Sequence, residues 1–361
     1  MRKNLLIFAI YVVSLVLLSC SYKQKDLSNS LKLASPISNN AVAVAYRTDQ
    51  KGNREAWLYS FNGLMQGKSW RDVSSNAFAV NPLTAESKEL PPVPGSSGRL
   101  ASIAATVSNQ IYIFGGYTVA QDHTEVSTPQ VYRFAPRAET YQLVTQMPTP
   151  VDDSVALVYQ NRYIYLVSGW HNNGNVSLVQ VLDTKDMSWH QATPYPGAPV
   201  FGHAAGMVGN QMVIADGVKV LKVINGKRHY GINPESYLGV IDENNFRKIR
   251  WQKLPEHPGA ARYRMAAAGI NTLNQVVFVG GSDNPYNFNG IGYNGVPSQP
   301  NDLMFAYDLS NSTWQELGRH TPATMDHRGL LKVEGEFYIL GGMLKDQQTT
   351  DLVLKIELEG Y

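Results

Sequence analysis

Cysteine is nearly absent from this 361-residue chain: Cys20 stands alone. No disulfide can form within it, so a sizeable core must hold the fold together. Charge is sparse as well, with 17% of residues charged and Lys+Arg at 31 against Asp+Glu at 29. So even a balance gives no general reason to expect a nucleic-acid partner. The eight histidines are scattered, with no HxH or HExxH spacing, and metal sites need such clustering. No metal and no other cofactor is expected. A G-x-S-x-G elbow and a phosphate loop are missing too. What is abundant is turn and ring: 30 glycines, 19 prolines and 20 tyrosines, with 43% hydrophobic residues. That composition favours a turn-rich β protein.

The N-terminus reads apart from the rest. Arg2 and Lys3 precede an apolar run over residues 5–18, then Ser19 and Cys20. The run is too short for a comfortable membrane span and has the layout of a signal peptide. "LLSC" resembles the lipobox of bacterial lipoproteins, which implies cleavage before Cys20 and a lipid on its sulfur. Ser21, with no Asp there, resembles the outer-membrane sorting pattern of Gram-negative bacteria. The expectation is a signal peptide over 1–19, a lipidated tether over 20–30 and one domain over 31–361. The protein would be an exported lipoprotein on the periplasmic side of the outer membrane, touching the membrane through its N-terminal lipid.

The domain repeats. "NQIYIFGGY" at 109–117 has relatives in "YIYLVSGW", "QMVIADGV", "QVVFVGGS", "EFYILGGM" and, more weakly, "AWLYSFNGL". Their terminal pairs begin at residues 62, 115, 168, 216, 280 and 341, spaced by 53, 53, 48, 64 and 61. An apolar strand precedes each copy. After most of them comes a third strand, then Trp189, Trp251 or Trp314, then a Pro-rich link. A period near 50 with four strands per unit, a double glycine and a spaced tryptophan resembles the kelch blade. The expected fold is all-β, a six-bladed kelch-type β-propeller. The last unit lacks its fourth strand, and "SLKLASPISNN" at 30–40 is expected to supply it, closing the ring. The recurrent tryptophans read as packing.

Strand order places the links before each first strand, and the connections between second and third strands, on one face. The longest of those connections cover 171–177, 218–236 and 282–301. Long loops on a rigid scaffold carry function. Around the channel mouth the sequence brings Arg99, Arg262, Arg264 and Arg328, with Asp153, His203, Asp326 and His327 beside them. Lys227, Arg228 and His229 add to a positive local field. Guanidinium groups suit carboxylates, so a small anionic ligand is one reading. The other is that these arginines pair with Asp153 and Asp326 and tie blades together. Tyr117, Trp170, Asp283, Tyr286, Phe288 and Tyr293 lie on the same expected face, offering rings and hydroxyl-binding groups suited to a sugar or glycan.

Kelch propellers include copper oxidases related to galactose oxidase, but those need a Tyr–Cys crosslink that Cys20 cannot supply. The segment "NNFRKIRWQKLPEHPGAARYRMAAAGINTLNQVVFVGGS" with its Asn/Tyr/Gly-rich loop resembles the bacterial N-acetylneuraminate epimerases, which are sialic acid mutarotases. The resemblance implies a mutarotase or epimerase acting on an anionic sugar. It also implies an acid–base Glu directly after the glycine that ends the second strand of the fourth unit, and Val218 stands there instead. His203, Asp153, Asp326 and His327 are substitutes by position. A non-catalytic, surface-tethered propeller that binds a glycan or protein remains the alternative.

Overall fold

The computed structural model describes residues 30–48, 51–95 and 97–358. Cys20 and the N-terminal run lie outside the described residues. Six small antiparallel sheets follow one another along the chain, five of them four-stranded and the last three-stranded. In each of the five, strands a, b, c and d lie in sequence order across the sheet, and the last has a, b and c. The six a strands are Ala41–Thr48, Ile103–Val107, Val155–Tyr159, Ala204–Val208, Ala266–Ile270 and Leu331–Val333. This is a six-bladed β-propeller, as the repeat predicts.

The last blade has Leu331–Val333, Glu336–Leu340 and Val353–Ile356 as its own strands. Its outer partner comes from the other end of the chain. Lys32 bridges Leu352, and the Val353 and Leu31 backbones hydrogen-bond at 2.8 Å. Leu33 and Ile37 of that segment then share one core with Val42 and Leu58 of the first blade and Leu331, Tyr338 and Val353 of the last. Ring closure therefore buries apolar surface and pairs a sheet edge in one step.

The b strands are covered on both faces by neighbouring blades, which explains their unbroken apolar character. Ile111, Tyr112, Ile113 and Phe114 are all buried. The tryptophans, read as packing, also bridge blades: Trp189 Nε1 donates to Thr145 Oγ1, Trp251 Nε1 to the Thr193 carbonyl and Trp314 Nε1 to the Pro255 carbonyl. Glycine is required after strand b because the chain there doubles back against the link into strand a. A Cβ on Gly116, at φ +84°, would lie 2.3 Å from Ser102 Oγ, and this lets Tyr117 bridge Leu100.

Two of the long connections are more ordered than loops. Trp170–His171 pairs with Gly174–Asn175, and Val218–Ile224 pairs with Lys227–Ile232. A third hairpin joins Tyr117–Val119 to Glu125–Ser127. The fourth-blade hairpin has a mechanism legible in the sequence. Its strands carry Val and Ile, and Asn225-Gly226 makes the two-residue turn, both residues at positive φ (49° and 76°).

Candidate functional site

Six equivalent residues, one before each a strand, encircle the propeller axis: Asn39, Ala101, Asp153, Gly202, Arg264 and Asp326. All have φ between 51° and 72°, in the left-handed region. That turn sends the backbone sideways to the neighbouring blade. Asp153 N–H donates to the Ala101 carbonyl, Gly202 N–H to Asp153, Arg264 N–H to Gly202 and Asn39 N–H to Asp326. The ring fixes where the side chains of Asp153, Arg264 and Asp326 begin, and they meet at the axis.

Asp153 is the centre of that meeting. Arg264 donates to its Oδ2 from Nη2 at 2.5 Å and from Nε at 3.2 Å, and the Tyr263 hydroxyl donates at 3.0 Å. Arg328 donates to its Oδ1. Arg264 Nη1 donates to Asp326 Oδ1 at 2.7 Å. Burial works to raise the Asp153 pKa, but Arg264 and Arg328 outweigh it and hold it down to about 2. Asp153 is therefore a fixed anion rather than a proton carrier. The bland reading of the arginines holds for Arg264 and Arg328: two cations and two carboxylates close the axis as a near-neutral cluster.

The cluster separates two cavities. The larger, about 660 Å³, opens on the face of the b–c connections. Its walls come from four blades: Tyr117 and Glu125 from the second, Asp152, Asp153 and Trp170 from the third. The fourth gives Phe201 and residues 226–230, and the fifth Arg264, Asn287, Phe288, Tyr293 and Asn294. The connections are knitted to one another. Ser127 and Asn172 exchange two bonds, Arg228 Nη2 donates to the Asn173 carbonyl at 2.8 Å, and the Tyr230 and Tyr293 rings lie 4.3 Å apart. The smaller cavity, about 290 Å³, lies in the channel and is lined by Ser154, His203, His327, Arg328 and small residues of the a strands.

Each expected residue can now be placed. Tyr117, Trp170, Asp153, Arg264 and Tyr293 share the larger cavity, together with Phe288 and Lys227–His229. His203, His327 and Arg328 face the other one. Burial pulls His203 down to about 4 and His327 to about 3, so both are neutral at physiological pH. Asp326 and Tyr286 are fully buried beneath Arg264 and line neither cavity. Asp283 is exposed on the fifth-blade connection, outside both linings.

Arg99 and Arg262 need correction. They occupy the same place in their repeats, two residues before the ring position, and lie away from the mouth. Arg262 donates to the Gly280 and Leu303 carbonyls and stacks on Phe305. Arg99 donates to the Pro94 carbonyl at 3.1 Å and stacks on Tyr132. Strand a of the second blade starts at Ile103 rather than at Arg99, so aligning Arg99 with Arg264 slips the register. The positive field at the mouth shrinks accordingly. Lys227 and Arg228 supply its cations with no carboxylate partner among the described residues.

Two carboxyl groups escaped the sequence reading. Asp152 is buried, and burial raises its pKa well above the usual carboxylate range, although the Ser127 hydroxyl donates to Oδ2 at 2.6 Å. Asp153 and Glu125 push the same way. Glu125, on the cavity's open side, is also raised, by burial first, with Arg264 opposing. Asp152 had a visible signal, its adjacency to Asp153. Glu125 sits in a connection, "VAQDHTEVS", that drew no attention. Val218, where the resemblance places a Glu, is fully buried and pairs with Phe201 at the hairpin's base.

No protein-family model matches the chain. Kelch-like protein 15 of Gallus gallus is 26% identical over 114 residues, which cover 32% of this chain and 23% of that protein. This chain thus spans about a quarter of that relative's length. N-acetylneuraminate epimerase of Salmonella arizonae is 22% identical over 299 residues, covering 69% of this chain and 73% of that protein. A solved structure titled "Structure of YjhT" matches with a TM-score of 0.70 over 91% of this chain and 97% of that one, at 14% identity. The chain is a six-bladed β-propeller, similar to a kelch-like protein and to an N-acetylneuraminate epimerase.

Proposed function

We propose that this protein binds an anionic sugar such as N-acetylneuraminate in the larger cavity and interconverts its anomers. One observation carries the reading. Two carboxyl groups with raised pKa, Asp152 and Glu125, face one aromatic-walled cavity beside a third, Asp153, that stays ionised. Carboxyl groups whose environments push their pKa values apart suit paired acid and base roles.

Ring opening takes a proton from the anomeric hydroxyl and gives one to the ring oxygen. In this scheme Glu125, the more exposed group, accepts the first. Asp152, kept protonated by burial, donates the second. The ring C–O bond breaks as the carbonyl forms, the chain rotates, and the reverse transfers close the other anomer. Each carboxyl group ends as it began. Lys227 and Arg228 attract the sugar carboxylate, while Trp170, Tyr230 and Tyr293 offer ring faces for its C–H surfaces.

Exchange NMR on N-acetylneuraminate anomers, with and without protein, tests this. Acceleration over buffer is expected, and none would remove the sialate mutarotase reading. A second reading, a non-catalytic glycan- or protein-binding propeller, draws on the pairing of Arg264 and Arg328 with Asp153 and Asp326. Sugar-induced shifts without exchange acceleration would favour it. Export and lipidation at Cys20 belong to the same proposal, and radiolabelled palmitate incorporation that is lost in Cys20→Ser would support them.

A further inference from the structure

The fourth-blade hairpin walls the cavity through residues 226–230, and its first strand carries side chains that the cavity does not use. Among the described residues eight large hydrophobic side chains are exposed. Three of them, Leu221, Val223 and Ile224, crowd this tip at 56%, 59% and 45% exposure. Val126 and Val296 belong to other b–c connections, so five of the eight lie on connections of that face. Residues 218–232 hold Lys219, Lys222, Lys227 and Arg228, and no Asp or Glu.

The register shows that this apolar tip is built. Pairing runs from Val218↔Ile232 to Val220↔Tyr230, then resumes at Lys222↔His229 and ends at Ile224↔Lys227. Leu221 is the bulged residue, and its side chain lies over Gly231, where a Cβ would come 2.7 Å from its Cδ1. Bulges re-aim side chains, and this one adds an aliphatic group where a solvated hairpin would carry a polar one. Arg228 is engaged with Trp170 and Asn173, and Lys219 with Asn233. Lys222 and Lys227 remain to collar the tip.

We propose that this hairpin docks the propeller on an anionic lipid bilayer. Leu221, Val223 and Ile224 enter the boundary between headgroups and acyl chains, and Lys222 and Lys227 lie among the anionic headgroups. Lipid suits the surface better than a protein partner does. The exposed run covers residues 221–227, a fraction of the roughly 20–30 residues a stable protein interface uses on each side. A fluid surface also needs no matching groove for a narrow turn. Docking holds the cavity mouth beside the headgroups. The inference uses none of the carboxyl groups of the sugar reading and shares only Lys227 with it.

The test uses the full chain with Cys20→Ser and Asn225→Cys, labelled at residue 225 with an environment-sensitive fluorophore. The signal then reports the tip alone, whatever the N-terminus does. Vesicles of phosphatidylcholine with phosphatidylglycerol should shift the emission to the blue, and acyl-chain spin labels should quench it. Pure phosphatidylcholine should do neither. Lys222→Glu should raise the lipid concentration at half-binding roughly tenfold or more. Leu221→Ser with Ile224→Ser should abolish quenching while the thermal unfolding curve stays in place. No shift on anionic vesicles, or an equal shift on neutral ones, overturns the proposal. So does a shift that follows protein concentration without lipid, which would mean self-association.

Discussion

Asp153→Asn removes one negative charge from the axis and leaves its shape nearly unchanged. In the native protein that carboxylate accepts from Arg264, Arg328 and Tyr263, and the Asp153, Arg264 and Arg328 side chains are each only 3% exposed. The variant leaves Arg328 with no carboxylate and Arg264 with Asp326 alone. An uncompensated buried charge costs about 3–5 kcal/mol. A second route gives a similar size. Asp153 titrates at about 2 against roughly 3.9 unfolded, and about two pH units at roughly 1.4 kcal/mol each make about 2.5 kcal/mol. For roughly 330 ordered residues the unfolding entropy is about 0.7 kcal/mol per kelvin, so the variant should melt about 4–7 °C lower at pH 7.

The pH dependence separates this account from a simple packing defect. The folded pKa of Asp153 is depressed. Its contribution is therefore complete above the unfolded pKa and is lost as pH falls through the folded one. At pH 3, between the two, about half of the 2.5 kcal/mol should remain. Calorimetry of wild type and Asp153→Asn at pH 7 and pH 3 should show the gap narrowing at the lower pH. Equal melting temperatures at pH 7, or a gap that ignores pH, would refute the electrostatic account of the axis.

Other outcomes follow from the same geometry. Glu125→Gln should slow anomer exchange by roughly 10²–10⁴-fold with an unchanged melting temperature, since Glu125 is on the cavity's open side; exchange NMR and circular dichroism check both halves. The pH profile of exchange should rise above the usual carboxylate range, as Glu125 ionises, and fall higher still as Asp152 loses its proton. Asp152→Asn should remove the falling limb along with most of the activity. Gly269→Ala should lower stability to guanidinium by at least about 3 kcal/mol, because a Cβ there would lie 1.8 Å from the Met207 carbonyl oxygen. A smaller loss would mean that the inner strands of blades 4 and 5 can part.

The scaffold was legible because it repeats. One strand such as "NQIYIFGGY" is ambiguous, but six copies with the same glycines impose one answer. The missing strand at the C-terminal end pointed to residues 30–40, and 31–33 of these pair with residues 351–353. The "VINGK" turn of the fourth-blade hairpin was equally plain as chemistry and was passed over as a long loop. The cation set was harder. Arg99 and Arg264 both precede an a strand, and only their offsets from the strand tell them apart. Two residues decide whether a guanidinium meets backbone carbonyls between blades, as Arg99 and Arg262 do, or reaches the axis.

The two carboxyl groups proposed as acid and base were hidden for a different reason. Glu125 and Asp152 come from neighbouring blades, and only Asp152, next to Asp153, carried any signal in its own segment. What distinguishes them is the environment: a shared cavity and the fixed charge of Asp153. The resemblance directed attention to the position of Val218, which is the buried base of an apolar hairpin. All six blades present b–c connections to one mouth. A carboxyl group on any of these connections can face the mouth without disturbing the ring. The search for function in this fold is therefore best made by cavity rather than by aligned position, and by that criterion Glu125 is the first residue to change.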